Sequence, residues 1–464
     1  MQTSDQPTPI NPPDHLEQLA TTPDAPAPTP TSDRIASIDV LRGVAVLGIF
    51  VMNLPTFAFS AQAYLIPYLD GGFEGIHYFA WLLNYLIFDQ KMMSIFSMLF
   101  GAGIVVFADR AMQKRGRAAG LFYRRLFWLW LIGMLHAYLI WEGDILVFYA
   151  ISGAIVYLFR KLRPRWLILI SITLLAVGMA INTSSGYFFN LTRSMHEQRL
   201  DLIERGEPVP PTVESLAEAW TGIIDEDSGE VITEGFREMV APSAELLEKE
   251  RKAVLGSFLD RAAFRAPDVL MFQTFLYLIW GVWRVCGMML LGMALFKLGI
   301  FSGARSTAFY THMALICLGL GFPINALGAF VLHRADYDLA LWFYYTGHFN
   351  YISSALIALG YTAIVMLICK SGALAPITSA LASVGRMAFT NYLMQSVIAA
   401  IVFFGWGFGL YASLQRAELI PVVLGVWTFQ ILLSVWWLRR FRFGPMEWLW
   451  RSLTYWKRQP FRRT

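Results

Sequence analysis

The segment HAYLIWEGDIL sets His136 close to two carboxylates, Glu142 and Asp144, where an apolar run ends. A carboxylate within reach of an imidazole holds its tautomer and raises its basicity, the arrangement a general base needs. The same residues also fit a buried histidine bonded to a backbone carbonyl, with both acids in water. A second group lies in SIDVLRGVAVLGIFVMN, residues 37–53. At about 1.5 Å per residue, Arg42 and Asn53 stand roughly 16 Å apart along a helix, close to three whole turns, so they share a face. Asp39, three residues before Arg42, shares it too. Arg284 lies mid-run in LIWGVWRVCGMMLLG, and Arg386 and Asn391 lie in SVGRMAFTNYLMQS. A charge at the centre of a membrane helix costs roughly 2.5–3.5 kcal/mol, so such groups line cavities or bind ligands by default. Asn391 and Gln395 fit ordinary interhelical hydrogen bonding better, whereas Arg386 stays open. His77, His312, His348 and Asn350 sit nearer the ends of apolar runs and make weaker claims. The histidines show no HExxH or His-x-His spacing, so no metal is expected.

The elements that must carry these residues are membrane helices. The chain has 464 residues, 56% hydrophobic and 15% charged, against about 25% charged in soluble domains. Ten apolar spans follow at 37–59, 90–108, 122–140, 144–161, 164–183, 270–296, 307–331, 345–369, 378–403 and 419–438. The expected fold is an all-α polytopic bundle of about ten transmembrane helices. A further apolar piece at 76–88 is too short to span and ends at Asp89, Gln90 and Lys91, so an interfacial or re-entrant helix is expected there.

Residues 1–36 hold eight of the 21 prolines and form a disordered tail by composition, with no signal peptide. Transmembrane regions at 37–184 and 270–442 flank an extracytoplasmic insert at 185–269, which carries about half of the acidic residues. That insert reads as a solvated helical cap or, more sharply, as a lid over a substrate. Residues 443–464 form a basic, Trp-rich amphipathic C-terminus. The basic loops at 109–125 and 160–165 and the basic C-terminus fall on one side, so both termini are cytoplasmic. Cys286, Cys317 and Cys369 lie inside apolar spans and read as packing residues. GxGxxG and GxxxxGK[ST] are absent, and no nucleic-acid partner is expected.

Taken in order, IDVLRGVAVLGIFVMN, FSMLFGAG, HAYLIWEGDIL, GRMAFTNYLMQS and FGPMEWLWR resemble the YeiB-like family of multi-pass inner-membrane proteins, domain of unknown function 418. The resemblance runs from about Ser37 to Tyr455. More distantly the pattern is similar to the transmembrane acyltransferases, among them the acyltransferase-3 proteins and the lysosomal heparan glucosaminide N-acetyltransferase. Those enzymes move an acyl group from cytosolic acyl-CoA to a sugar on the far side. The resemblance implies an acyltransferase-like bundle and makes Arg42 and Asn53 candidate site residues, since the heparan enzyme family keeps the same Arg-to-Asn interval. That family places its catalytic histidine eleven residues after the asparagine; here the position is Tyr64. His77 and His136 are then the candidates to replace it.

Two functions compete on these grounds. In the first, acyl-CoA is the donor and a glycan, lipid or small molecule is the acceptor. His136, oriented by Glu142 or Asp144, is the base, and Asn53 stabilises the oxyanion. Asp39, Arg42, Arg284, Arg386 and Asn391 bind substrate. In the second, the arginines line the path of a transporter for a small anionic solute; no internal repeat supports it.

Overall fold

A computed structural model describes residues 36–115, 119–224, 231–234 and 242–463. The Pro-rich tail therefore lies outside the described residues apart from Ala36, and so does the acidic run Asp225–Asp227. The first helices are α1 (Ala36–Ala58), α2 (Ile76–Leu83), α3 (Lys91–Arg115), α4 (Ala119–Leu139) and α5 (Leu146–Val156). Then come α6 (Pro164–Glu204), α7 (Pro211–Thr221) and a two-strand ladder, β1 (Gly222–Ile224) antiparallel to β2 (Val231–Glu234). After the ladder follow α8 (Ala244–Leu255), α9 (Phe258–Met271), α10 (Val282–Lys297) and α11 (Thr307–Arg334). The chain closes with α12 (Gly347–Ser371), α13 (Ala375–Arg386), α14 (Ala388–Phe403), α15 (Leu419–Arg440) and α16 (Pro445–Tyr455).

Helices are found at all ten expected spans, and the chain is a polytopic helical membrane protein. Among the described residues, seven helical segments are long and apolar enough to cross a membrane, or eight if α13 and α14 count as one span bent by 79°. Of the ten expected spans, α4 and the stretch at 146–159 fall outside that set. The first carries Arg124 and Arg125. The second, at 14 residues, reaches only about 21 Å.

Three boundaries differ from the sequence reading. The piece at 76–88 is not separate: α2 runs through the π-helical Asn84–Phe88 and joins α3 in one 35-residue apolar segment, Ile76–Arg110. Neither edge of the insert interrupts the chain. One edge falls inside the 41-residue α6, which at about 62 Å far outreaches a hydrocarbon core of about 30 Å. The other falls inside α9, whose start is marked by a Ser257–Asp260 capping box and which continues to Lys297 through the π-helical Phe272–Gly281.

Packing depends on backbones that nearly touch. A Cβ at Gly385 would lie 1.9 Å from the Asp39 carbonyl oxygen, and one at Gly43 would lie 2.1 Å from that of Leu381. Gly101 of FSMLFGAG and Gly292 repeat this device between α3 and α10. Small residues at such crossings let membrane helices approach closely. Glu447 of FGPMEWLWR closes the α13–α14 break. Its carboxylate accepts from the Phe389 and Thr390 amides at 2.8 and 3.1 Å and from the Thr390 hydroxyl at 2.6 Å. It thus caps the exposed N-terminus of α14.

Candidate functional site

A pocket opens where α1 ends and α2 meets α3. Pro55, Tyr64, Leu65, Trp81, Asn84, Tyr85, Asp89, Gln90, Leu332, Trp342, Asn350 and Arg416 line it, around about 540 Å³ of space that includes its mouth. Local backbone irregularity shapes the walls. The α2 rod loosens into π-helical turns at Asn84–Phe88, and a second π-helical stretch, Trp342–Thr346, supplies Trp342. Gln90, between the two rods, has φ of 59°, a region L side chains rarely adopt. Strained backbone and π-bulges gather at functional sites.

At the floor lies a buried polar chain. The Tyr64 hydroxyl donates to Asp89 Oδ1, and Asn350 Nδ2 donates to Asp89 Oδ2 at 2.6 Å. Lys91 Nζ donates to Asn350 Oδ1 at 2.7 Å and to the Tyr85 carbonyl at 2.6 Å. Below it Arg284, 1% exposed, donates to the Tyr351 carbonyl at 2.6 Å and to the hydroxyls of Ser94 and Ser354 at 2.9 and 2.5 Å. Asp89 is the acid whose charge acts on both Lys91 and Arg284. The cluster holds one carboxylate against two cations. Burial, with Asp89 next in weight, raises the Tyr64 phenol well above its usual value, so it stays protonated. Four polar atoms of the lining are buried with no hydrogen-bond partner among the described residues: Asn84 Oδ1, Gln90 Oε1, the Tyr85 hydroxyl and Arg416 Nε. Atoms left in that state on a pocket wall mark places where a ligand can bond.

The segment 59–72 forms the outer wall and carries Tyr64. Arg416 Nη2 donates to the carbonyls of Ala63, Pro67 and Asp70 at 3.1, 2.7 and 3.2 Å. Asp70 accepts from the Ser60 amide at 2.9 Å. His77 Nδ1 takes the Ala417 amide at 3.3 Å, which ties it to the loop beside Arg416 and not to the pocket.

None of the nine site residues expected from sequence lines this pocket. His136 and Asp144 do meet: Nδ1 lies 2.7 Å from Oδ1, with both side chains sealed. Asp144 Oδ2 accepts the Val147 amide at 3.0 Å, and the Tyr392 ring lies 5.4 Å from the imidazole. His136 Nε2 is buried without a partner among the described residues. Glu142 does not orient His136. Arg261 donates to it at 2.7 Å, and Arg265 Nε stands 3.5 Å away. Burial alone would raise the Glu142 carboxyl, but the Arg265 and Arg261 guanidiniums outweigh it and hold it below the usual carboxylate range.

The remaining residues scatter. Asp39 and Arg42 pair with each other at 2.9 Å at the basic end of the bundle, where the Arg42 charge meets those of Arg125 and Arg451. Asn53 is half-buried on α1, short of the pocket wall at Pro55. Arg386 ends α13 at the bend. Asn391 donates to the Val384 carbonyl and the Ser434 hydroxyl, both at 3.1 Å, so its amide holds helices together. Of the polar pocket residues, sequence reasoning gave Asp89, Gln90 and Arg416 no site role and ranked Asn350 among the weaker candidates. The signal for the first two was present, a charged Asp-Gln-Lys set between two apolar rods, but it read as the end of a short helix.

Residues 295–457 match the family described as "Protein of unknown function (DUF418)". The chain is 29% identical over 446 residues to the "Uncharacterized protein YxaH" of Bacillus subtilis, covering 93% of this chain and 97% of that protein. It is also 29% identical over 424 residues to the "Uncharacterized protein YeiB" of Escherichia coli, covering 91% and 96%. A protein of Bacillus acidopullulyticus, printed as "Uncharacterized 39.9 kDa protein in amylase 3'region", is 23% identical over 433 residues. The motif resemblance to the YeiB-like family agrees with these matches: the chain is similar over most of its length to YxaH and YeiB, and residues 295–457 match the DUF418 family.

Proposed function

We propose that this chain is an acyltransferase-like protein of the cytoplasmic (inner) membrane, with both termini in the cytosol. Its acceptor binds in the pocket at Tyr64, Asp89 and Asn350. One observation carries the reading: Tyr64, the position that the acyltransferase resemblance assigns to a catalytic histidine, lies on the pocket wall and donates to Asp89. The buried acceptor oxygens of Asn84 and Gln90, beside the rings of Trp81, Tyr85 and Trp342, suit an acceptor with hydroxyl or amino donors.

In the proposed step an acceptor O–H or N–H attacks the thioester carbonyl of an acyl-CoA. The C–S bond breaks and an ester or amide bond forms. Asp89 takes the acceptor proton, directly or through Tyr64, and returns it to the departing thiolate. Lys91 keeps Asp89 aligned through Asn350. This role passes to Asp89 from His136, whose side chain is only 1% exposed and away from the pocket. The donor's phosphates would meet the basic end, where Arg42, Arg125 and Arg451 lie.

The test uses the full chain in nanodiscs with radiolabelled acetyl-CoA and, as acceptors, glucosamine or extracted membrane glycolipid. Tyr64→Phe is expected to lower kcat roughly 100-fold, the usual weight of a proton-transfer group. Tyr64→His is expected to keep measurable transfer. Equal transfer by wild type and Tyr64→Phe would remove Tyr64 from the chemistry. The excess of buried positive charge at Lys91 and Arg284 favours a second reading, passage of a small anionic solute. Uptake of radiolabelled acetate into proteoliposomes without acyl-CoA would support that reading against the first.

A further inference from the structure

Among the described residues, the acidic insert meets the pocket wall by apolar packing of Phe189 and Trp220 near Leu65 and Trp342, and by one charged side chain. Glu250, on α8 and 2% exposed, accepts the Ala61 amide at 3.0 Å and the Tyr411 hydroxyl at 2.6 Å, and pairs with Arg265. Arg265 is itself held by Asp268 at 3.0 Å and stands 3.5 Å from Glu142. The same helix docks beside this point, where the Gly405 amide donates to the Val254 carbonyl at 3.0 Å. Ala61 opens the 3-10 turn Ala61–Tyr64, so the bond grips the turn whose last residue lies on the pocket wall. Along the rest of the wall, Arg416 grips carbonyls from the opposite side. A carboxylate held by a guanidinium has little freedom, and its charge-assisted bond to an amide is among the stronger ones.

We propose that Glu250 is a positioning residue for the pocket: the insert sets the Tyr64 turn in place through it, and is neither a detached cap nor a lid. The proposal rests on the pocket being the functional site, but its test does not depend on acyl transfer. Hydrogen–deuterium exchange is followed on the full chain in nanodiscs, with peptides covering 59–72 and, as reference, the first half of α11 (307–320), the end away from Leu332 on the pocket wall. Loss of a hydrogen bond to a charged acceptor predicts that Glu250→Ala speeds exchange at Ala61 to Ile66 by roughly ten-fold or more, with α11 unchanged. Glu250→Gln keeps an acceptor oxygen for the Ala61 amide and is expected to stay within about three-fold of wild type. Should the alanine variant not fold, Glu250→Asp keeps the charge for Arg265 but falls short of Ala61, and is expected to speed the same peptide alone. In the acetyl-transfer assay, Glu250→Ala should lower turnover and Glu250→Gln should restore it. Unchanged exchange at 59–72, or equal acceleration in α11, would overturn the proposal. Selective acceleration with no transfer by any variant would keep Glu250 as the positioning residue and discard the acyltransferase reading.

Discussion

Replacing Asp89 by asparagine tests whether its charge holds the polar floor of the pocket together. In the native cluster one carboxylate faces two cations, Lys91 and Arg284, which are 0% and 1% exposed. The Asp89→Asn variant leaves both cations buried without that acid, and its amide can place an NH₂ group against the Tyr64 hydroxyl or the Asn350 amide. Asp89 reaches Lys91 through Asn350 and not as a direct ion pair, so the loss is set by its two charge-assisted hydrogen bonds, to Tyr64 and Asn350, each about 1.5–3 kcal/mol. A second substitution, Lys91→Met, returns the net charge of the cluster to its native value in a side chain of similar length. The double variant is therefore expected to recover most of the loss, with a coupling of about 2–3 kcal/mol. The assay is tryptophan-detected unfolding of the purified chain, with Asp201→Asn as a control at a half-exposed site, expected within about 0.5 kcal/mol of wild type. If the double variant is destabilised by the sum of the two single effects, charge balance is not what holds this site together.

Four further outcomes follow from single positions. Glu142 sits below the usual carboxylate range when folded, so its contribution is present above the unfolded value of about 4.3 and lost as pH falls through the lower folded value. Exchange in α8 and α9 should rise in that acidic window, and Glu142→Gln should flatten the dependence. Gly385→Ala drives a Cβ to 1.9 Å from the Asp39 carbonyl oxygen and should cost about 1–3 kcal/mol or more. Gly425→Ala, with nothing within 4 Å, should instead be neutral or stabilising by about 0.5–1 kcal/mol in the same unfolding assay. Glu447→Ala strips the cap from α14 and should lower stability by about 1–3 kcal/mol, visible as faster exchange at Phe389 and Thr390.

Much of the helix layout was legible from apolar run length, because a membrane helix has to satisfy its own backbone and so writes its length into composition. The limits of that signal were equally physical. The polar parts of α6 and α9 remain helical beyond the membrane, and hydropathy has no mark for that continuation. Composition also set the piece at 76–88 apart from α3, since Asp89, Gln90 and Lys91 look like a helix end. Folded, these residues are the buried hinge of a longer rod and part of the pocket.

At the level of side chains, the sequence by itself determined the contacts that helical periodicity or a short turn enforces. Arg42 meets Asp39 three residues away, and His136 meets Asp144 across the turn between α4 and α5. Only the tertiary structure decided the rest. Glu142 turns from the nearby His136 to Arg261, 119 residues later, and Asp89 finds Asn350 at a separation of 261. Glu250 reaches the Tyr64 turn from 189 residues away. Local spacing fixes which face of a helix a group occupies, whereas its partner depends on which helices pack together. Here close glycine crossings and charge pairing between distant segments make that choice.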